Sequence, residues 1–219
     1  DTGACRHILI PLLDKYTLHS KKRRDYEIWR KLVIAISDGY HLNGSRGYVL
    51  GLCQELKNIK RYTPPSFENI YRNDFCPDES WHSWFSGWID GEACFFTSPR
   101  KHGLGMDYGL RVHIRDDDAS LIYGVRDTLQ CGTIYLTSSD REGNPSITWQ
   151  CSDIEACRDV LIPIFDKYPL RSKKQHDYGV WRKLVIAISE KQHLNGNRDY
   201  VLDLCQQLKD IRKYIPPTL

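Results

Sequence analysis

An α+β fold, with helices on one face of an antiparallel four-stranded sheet, is predicted by two features of the chain. Apolar spacing switches from helical to alternating just after residue 92, and a long stretch occurs twice. Residues 1–65 read DTGACRHILIPLLDKY…WRKLVIAIS…HLNG…YVLGLC…RYTPP, and residues 153–217 read DIEACRDVLIPIFDKY…WRKLVIAIS…HLNG…YVLDLC…KYIPP. The copies align without a gap, roughly two-thirds identical at an offset of about 150 residues, which is a tandem domain duplication and not a short solenoid period. Residues 81–152 precede the second copy and have no counterpart before the first. The pattern therefore predicts the C-terminal helical part of a first repeat over 1–65, a linker over 66–80 and a complete second repeat over 81–219. A start at Asp1, with no methionine before Met106, leads us to expect a trimmed or partial form of a longer protein.

The second repeat opens with Trp81, Trp84, Phe85 and Trp88 at i, i+3, i+4 and i+7, one apolar stripe of a helix. Pro77, Asp78 and Glu79 supply its start signals. Ser83, Gly87 and Gly91 form a small face. Each glycine costs such a helix about 1 kcal/mol, so close approach of another backbone is expected there. Cys94 to Ser98 runs straight out of the helix as a strand. Leu110, Val112 and Ile114 then alternate with Arg111, His113 and Arg115; Ile134 and Leu136 with Thr133, Tyr135 and Thr137; and Ile147, Trp149 and Cys151 with Thr148, Gln150 and Ser152. Each strand thus has one buried and one wet face. Residues 102–105 and 138–145 read as hairpin turns, and residues 118–130 as a helix with Leu121, Val125 and Leu129 inward. Three helical segments follow, carried by Cys157, Val160, Leu161 and Ile164, by Trp181, Leu184, Val185 and Ile188, and by Val201, Leu204, Cys205 and Leu208. Pro163 is expected to kink or shorten the first.

A net charge of +3 leans only mildly towards polyanions. Eight cysteines contain no C-x-x-C, and Cys5/Cys157 and Cys53/Cys205 recur with the duplication on apolar helix faces, so reduced core thiols in an intracellular, non-secreted protein are expected. No apolar run is long enough for a membrane helix, and no secretory leader is evident.

The segment Phe85-Ser-Gly-Trp-Ile-Asp-Gly-Glu-Ala93 resembles the LAGLIDADG motif of homing endonucleases in its Gly-Glu variant. Its setting agrees with that family: a helix running into a hairpin, then helix, hairpin and helices, with Ser172-Lys173-Lys174…Asp177-Tyr178…Trp181 resembling the lysine-bearing segment after the sheet. The resemblance implies a site-specific DNA endonuclease that uses Mg2+ or Mn2+. Phosphodiester hydrolysis needs an in-line water, neutralised phosphoryl oxygens and a stabilised leaving oxygen, and divalent metals held by carboxylates serve all three. By resemblance Glu92 is the metal-binding acid, while Asp90 caps or orients the helix. Lys173, with its copy Lys21, takes the place of a basic residue near the attacking water. Asp116 stands where many members have a glutamine touching a metal-bound water, a departure from the family pattern. Gly87 and Gly91 form the interface with a second motif helix.

For duplex DNA, the wet face offers Ser98, Arg100, Arg111, His113, Arg115, Thr133, Tyr135, Thr137, Thr148, Gln150 and Ser152, donors and acceptors suited to base edges. Lys101 and Arg141 at the hairpin tips suit phosphates. No acid is expected among the outward strand positions. Members of the family act as one-motif homodimers or two-motif single chains. A two-motif parent of about 300 residues is expected from the repeat period, the present chain being its C-terminal portion, reliant on self-association or on a missing N-terminal half-repeat and cutting poorly alone. Two other readings stay open: a splicing cofactor of the same family that binds its host intron RNA, and a DNA-binding protein that does not cut.

Overall fold

A computed structural model of the chain describes residues 1–16, 18–59, 65, 80–99, 106–137 and 145–211. Arg100, Lys101, Arg141, both hairpin tips and residues 66–79 of the expected linker lie outside the described residues. Two compact units are present: residues 1–75 with 117–121, and residues 76–116 with 122–219.

In the first unit, a helical turn α1 (Thr2–Ala4), a π-helical turn (Cys5–Leu9) and α2 (Ile10–Lys15) are followed by α3 (Lys22–Ser37) and α4 (Arg46–Ile59). Ile28, Ala35, Val49 and Leu52 form its core, with Leu32, Ile36, Leu56 and Ile59 packed around them.

The second unit begins with α5 (Trp81–Glu92), which passes directly into β1 (Ala93–Pro99); β2 spans Met106–Arg115. A 3-10 turn (Asp116–Asp118) leads into α6 (Ala119–Leu129), the stretch 117–121 being grouped with the first unit, and then come β3 (Thr133–Thr137) and β4 (Ser146–Cys151). A turn α7 (Ile154–Ala156), a π-helical turn (Cys157–Leu161), α8 (Ile162–Lys167), α9 (Lys174–Ser189) and α10 (Arg198–Asp210) complete it. The sheet is antiparallel throughout, in the order β1-β2-β4-β3. The predicted α+β architecture is therefore the observed one.

Burial follows the alternation. Phe95, Leu110, Val112, Ile147, Trp149 and Cys151 point to the helices and are buried, as are Trp81, Phe85 and Ile89 of α5. Phe85 stacks on Phe165 at 5.8 Å and meets Trp149 edge-on, while Phe95 packs against Trp181 at 5.1 Å. Three expectations need correction. The buried line of α5 is Trp81, Phe85 and Ile89, spaced four residues apart; Trp84 and Trp88 are only half-buried and stack on each other at 5.7 Å. Leu136 is 72% exposed, because β3 is the edge of the sheet. Strand β2 starts four residues before Leu110, which puts Asp107 opposite Ser98 and so places one acid on the outward face.

The helical segment that carries Pro163 changes geometry just before it. The turn before it opens to π geometry, with the Ile162 N–H donating to Cys157 O, and Pro163 enters the first turn of α8. The wider turn gives the proline ring room and needs no N–H from it. The same turn precedes Pro11 in the first unit.

A second duplicated device ties each copy together. Tyr178 donates to Asp166 Oδ1 at 2.5 Å and to Ile162 O, and Arg182 grips Asp166 with Nε and Nη2. Tyr26, Asp14, Ile10 and Arg30 repeat it. Burial, joined by Asp166, pushes the Tyr178 hydroxyl well above its ordinary range. Burial works to raise Asp166, but Arg182 and Tyr178 outweigh it and hold the carboxyl low. A depressed carboxyl stabilises the fold above its unfolded pKa, and that contribution is lost as pH falls through the folded value. Tyr178→Phe, at a buried position, is expected to cost about 1–2 kcal/mol at neutral pH. The loss should be smaller for the less buried Tyr26 and should shrink in acid, as read by urea unfolding at neutral and acidic pH.

Glycine is required at two places. Gly132 has φ +85°, and a Cβ there would overlap the Trp149 indole, whose Nε1 donates to Cys131 O at 3.0 Å. At Gly109 a Cβ would overlap Cys151 O. The seven described cysteines are free thiols, and no helix among the described residues is long and apolar enough to cross a membrane.

Candidate nucleic-acid interface and acidic helix end

Strand pairing sets the outward side chains in rows. Arg111, Gln150 and Thr133 lie across the sheet from one another, followed by His113, Thr148 and Tyr135, then by Arg115, Ser146 and Thr137. Arg111, His113, Thr133, Tyr135, Thr137, Ser98 and Ser152 are exposed; Arg115, Thr148 and Gln150 are half-buried. Within the face, His113 Nδ1 lies 2.8 Å from Thr148 Oγ1, and the Gln150 amide donates to Ser152 Oγ at 2.9 Å. Arg111 extends over the Phe96 ring at 5.1 Å, which orders its guanidinium and accounts for the burial of an outward-pointing phenylalanine. The sheet therefore brings together every expected DNA-contacting residue except Arg100, Lys101 and Arg141, which fall outside the described residues.

Glu92 closes α5 and is exposed at the point where helix becomes strand. An acid there opposes the helix dipole, so the local structure must compensate. Lys174 does so: its ammonium donates to Ile89 O at 3.2 Å and Asp90 O at 2.9 Å, carbonyls that a helix end leaves without partners. Burial draws the Lys174 pKa below the usual lysine range, against the pull of Asp90 and Glu92. Asp90 faces away from Glu92's side of the junction and fastens the helix end to the chain entering α9. It accepts from the amides of Arg171 (2.8 Å) and Ser172 (2.9 Å) and from Ser172 Oγ. Burial would raise Asp90, but these bonds prevail and its pKa is lowered. Asp90 thus orients the helix, as the sequence suggested.

The lysine at the helix end was missed by sequence reasoning. Lys173 precedes α9 and is exposed, whereas its neighbour Lys174 turns inward to the carbonyls. In the first unit Lys21 is ion-paired with Asp117 at 2.5 Å, and its amide donates to Asp118 at 3.0 Å. Asp116 is half-buried at the end of β2, its N–H bonded to Pro145 O. Gly87 and Gly91 are exposed, and a Cβ at either would meet nothing within 4 Å. No group of three or more metal-ligating side chains occurs among the described residues.

The site is thus a helix ending in an acid at the root of a four-stranded antiparallel sheet, whose outer face is rich in basic and hydroxyl groups. Residues 85–185 match the family model described as LAGLIDADG endonuclease. It is 26% identical over 214 residues to the probable intron-encoded endonuclease 2 of Neurospora crassa, and 24% identical over 205 residues to the probable intron-encoded endonuclease 3 of the same fungus. These alignments take in 89% and 85% of this chain but only 45% and 36% of the relatives, so the chain spans less than half of their length. Among solved structures, the I-SmaMI LAGLIDADG homing endonuclease bound to cleaved DNA is similar with a TM-score of 0.75 at 19% identity, over 97% of this chain and 73% of that one. I-GzeII in complex with its DNA target is similar with a TM-score of 0.71 at 21% identity, over 94% and 74%. At such identities the likeness concerns the fold.

Proposed function

We propose that this chain is part of a site-specific endonuclease that hydrolyses phosphodiester bonds of double-stranded DNA with a divalent metal. The observation that carries this reading is the position of Glu92, an exposed acid at the junction of α5 and β1, on a repeat whose outward sheet face has the alternation of donors and acceptors needed for base edges. Support also comes from the relatives, named as intron-encoded endonucleases, and from the DNA-bound solved structures of the same fold.

Glu92 fits one ligand of a hard cation such as Mg2+ or Mn2+, which takes one or two carboxylates and completes its shell with water and phosphate oxygens. When bound, the cation would neutralise charge on the phosphoryl group. A second acid has to come from another motif helix, and the small face of Ser83, Gly87 and Gly91 suits its close approach. In this reading Lys174 holds the helix end in place and Asp116 borders the site. The first unit is read as the helical back half of a first repeat. In the second copy Leu161 is fully buried and Ile164 half-buried, whereas their first-copy counterparts Leu9 and Leu12 are 42% and 49% exposed. A preceding helix and sheet would cover that surface. Free thiols support an intracellular setting.

The test begins by selecting duplexes from a random library with the 219-residue chain. Arg111→Ala is expected to weaken binding of the selected duplex about tenfold or more, in line with loss of a base-reading arginine, and to relax preference at one position. Equal affinity of wild type and variant for every duplex would refute the interface.

A further inference from the structure

The second unit carries a groove of about 500 Å³ along α9 and α10, away from the sheet face. Lys173, His176 and Lys183 line it with Gln175, Gly179 and Gln207. None of the three basic side chains enters an ion pair among the described residues. They occupy the exposed side of α9, whose opposite side places Tyr178 and Trp181 against Phe95 under the sheet. A duplex lying on the outward strands is therefore separated from the groove by the sheet and the body of α9.

The internal duplication supplies a comparison. The first copy has Lys21, Arg24 and Lys31 where the second has Lys173, His176 and Lys183, so all three basic positions persist. It also has Glu27 and Glu55 where the second has Gly179 and Gln207. In the first unit Lys21 pairs with Asp117, and Glu27 pairs at 3.3 Å with Arg23, the counterpart of Gln175. In the second the acids have gone from the groove wall, and Gln207 turns its amide to Asp203 on its own helix at 2.7 Å. Gly179 lies in the interior of α9, where glycine is unfavourable relative to other residues, and a Cβ there would meet nothing within 4 Å. Packing does not explain it.

We propose that this groove binds the phosphodiester backbone of a nucleic-acid strand, at a site separate from the sheet face. Lys173 and Lys183 are ten residues apart, about 15 Å along a helix. The cations are thus strung along a line, as a polyanionic strand requires, and do not converge on one small anion. The two lysines address phosphates as point charges, so binding should depend strongly on salt. The site holds whether or not Glu92 supports cleavage.

The experiment measures fluorescence anisotropy of labelled oligo(dT) and oligo(U), each about 20 nucleotides long, with the 219-residue chain across a salt series. Joint replacement Lys173→Ala, His176→Ala and Lys183→Ala is expected to lower affinity about tenfold or more and to reduce the slope of log affinity on log salt by about 2, at roughly 0.7 per single-strand phosphate contact. A second variant avoids the question of misfolding. Gly179→Glu installs the acid that the first copy carries at Glu27, should keep or raise the melting temperature because a helix-interior glycine is removed, and should abolish strand binding. Its affinity for the selected duplex should stay within about twofold, with the phosphate contacts of the sheet face intact. Binding of only one of the two oligonucleotides identifies DNA or RNA as the source and upholds the site. Absence of strand binding, binding that survives both variants, or equal competition by polyglutamate overturns it. Duplex affinity is read separately, so failure of the groove and failure of the sheet-face reading are distinct results.

Discussion

Glu92→Gln is expected to reduce DNA cleavage at least about 100-fold, the scale of losing a principal electrostatic group at a reacting phosphate, in any form of the protein that cuts. Its affinity for the selected duplex should stay within about twofold. The side chain is exposed at the end of α5 and is neither a strand residue nor part of the rows headed by Arg111, His113 and Arg115. Its removal therefore leaves the binding face untouched, and losing an acid at a helix C-terminus should, if anything, stabilise the helix slightly. Single-turnover cleavage of the selected duplex beside equilibrium binding separates the two effects. Equal loss of both would place Glu92 in the fold or the binding face, and unchanged cleavage would remove it from the site.

The largest expected effect on stability lies far from Glu92, at Gly132. Gly132→Val is expected to cost about 3 kcal/mol or more, because a branched residue is forced to positive φ and into the Trp149 ring. Trp149 is fully buried and edge-on to Phe85, so the disturbance passes from the turn before β3 into the packing of α5. Urea unfolding followed by tryptophan fluorescence reads it. Gly87→Ala and Gly91→Ala are the contrast. With open space at both positions, each should stabilise this chain by about 0.5–1 kcal/mol. The same changes should impair activity in a protein where a second motif helix must lie against that face.

The sequence disclosed most where one period governed a whole element. Trp81 to Glu92 is helical with the limits its pattern marks, and the alternation at 110–115 and 147–152 put the correct side chains outward. It misled where context decides. Leu136 alternates like a core residue but sits on an edge strand, and Asp107 joined the outward face only because pairing carries β2 beyond its apolar run. Pro163 reads as a helix breaker in isolation, yet a π-helical turn absorbs it, a solution that local propensity does not encode. At the end of α5, the sequence marked Asp90 as an orienting residue, but which of two adjacent lysines caps the helix depended on helical phase at the start of α9. Residues 173 and 174 differ by about 100° around the helix, and only the second faces the carbonyls of Ile89 and Asp90. The groove on α9 and α10 left no motif at all. It becomes visible only when Gly179 and Gln207 are set beside Glu27 and Glu55.

The central claim is that the end of α5 presents a carboxylate to a divalent cation next to a duplex on the outward sheet face. Paramagnetic broadening of backbone amide signals by Mn2+, recorded on the chain bound to its selected duplex, tests it most directly. Broadening centred on Gly91, Glu92 and Ala93, and lost in Glu92→Gln, is the predicted result. Broadening centred elsewhere, or unchanged by that substitution, would contradict it.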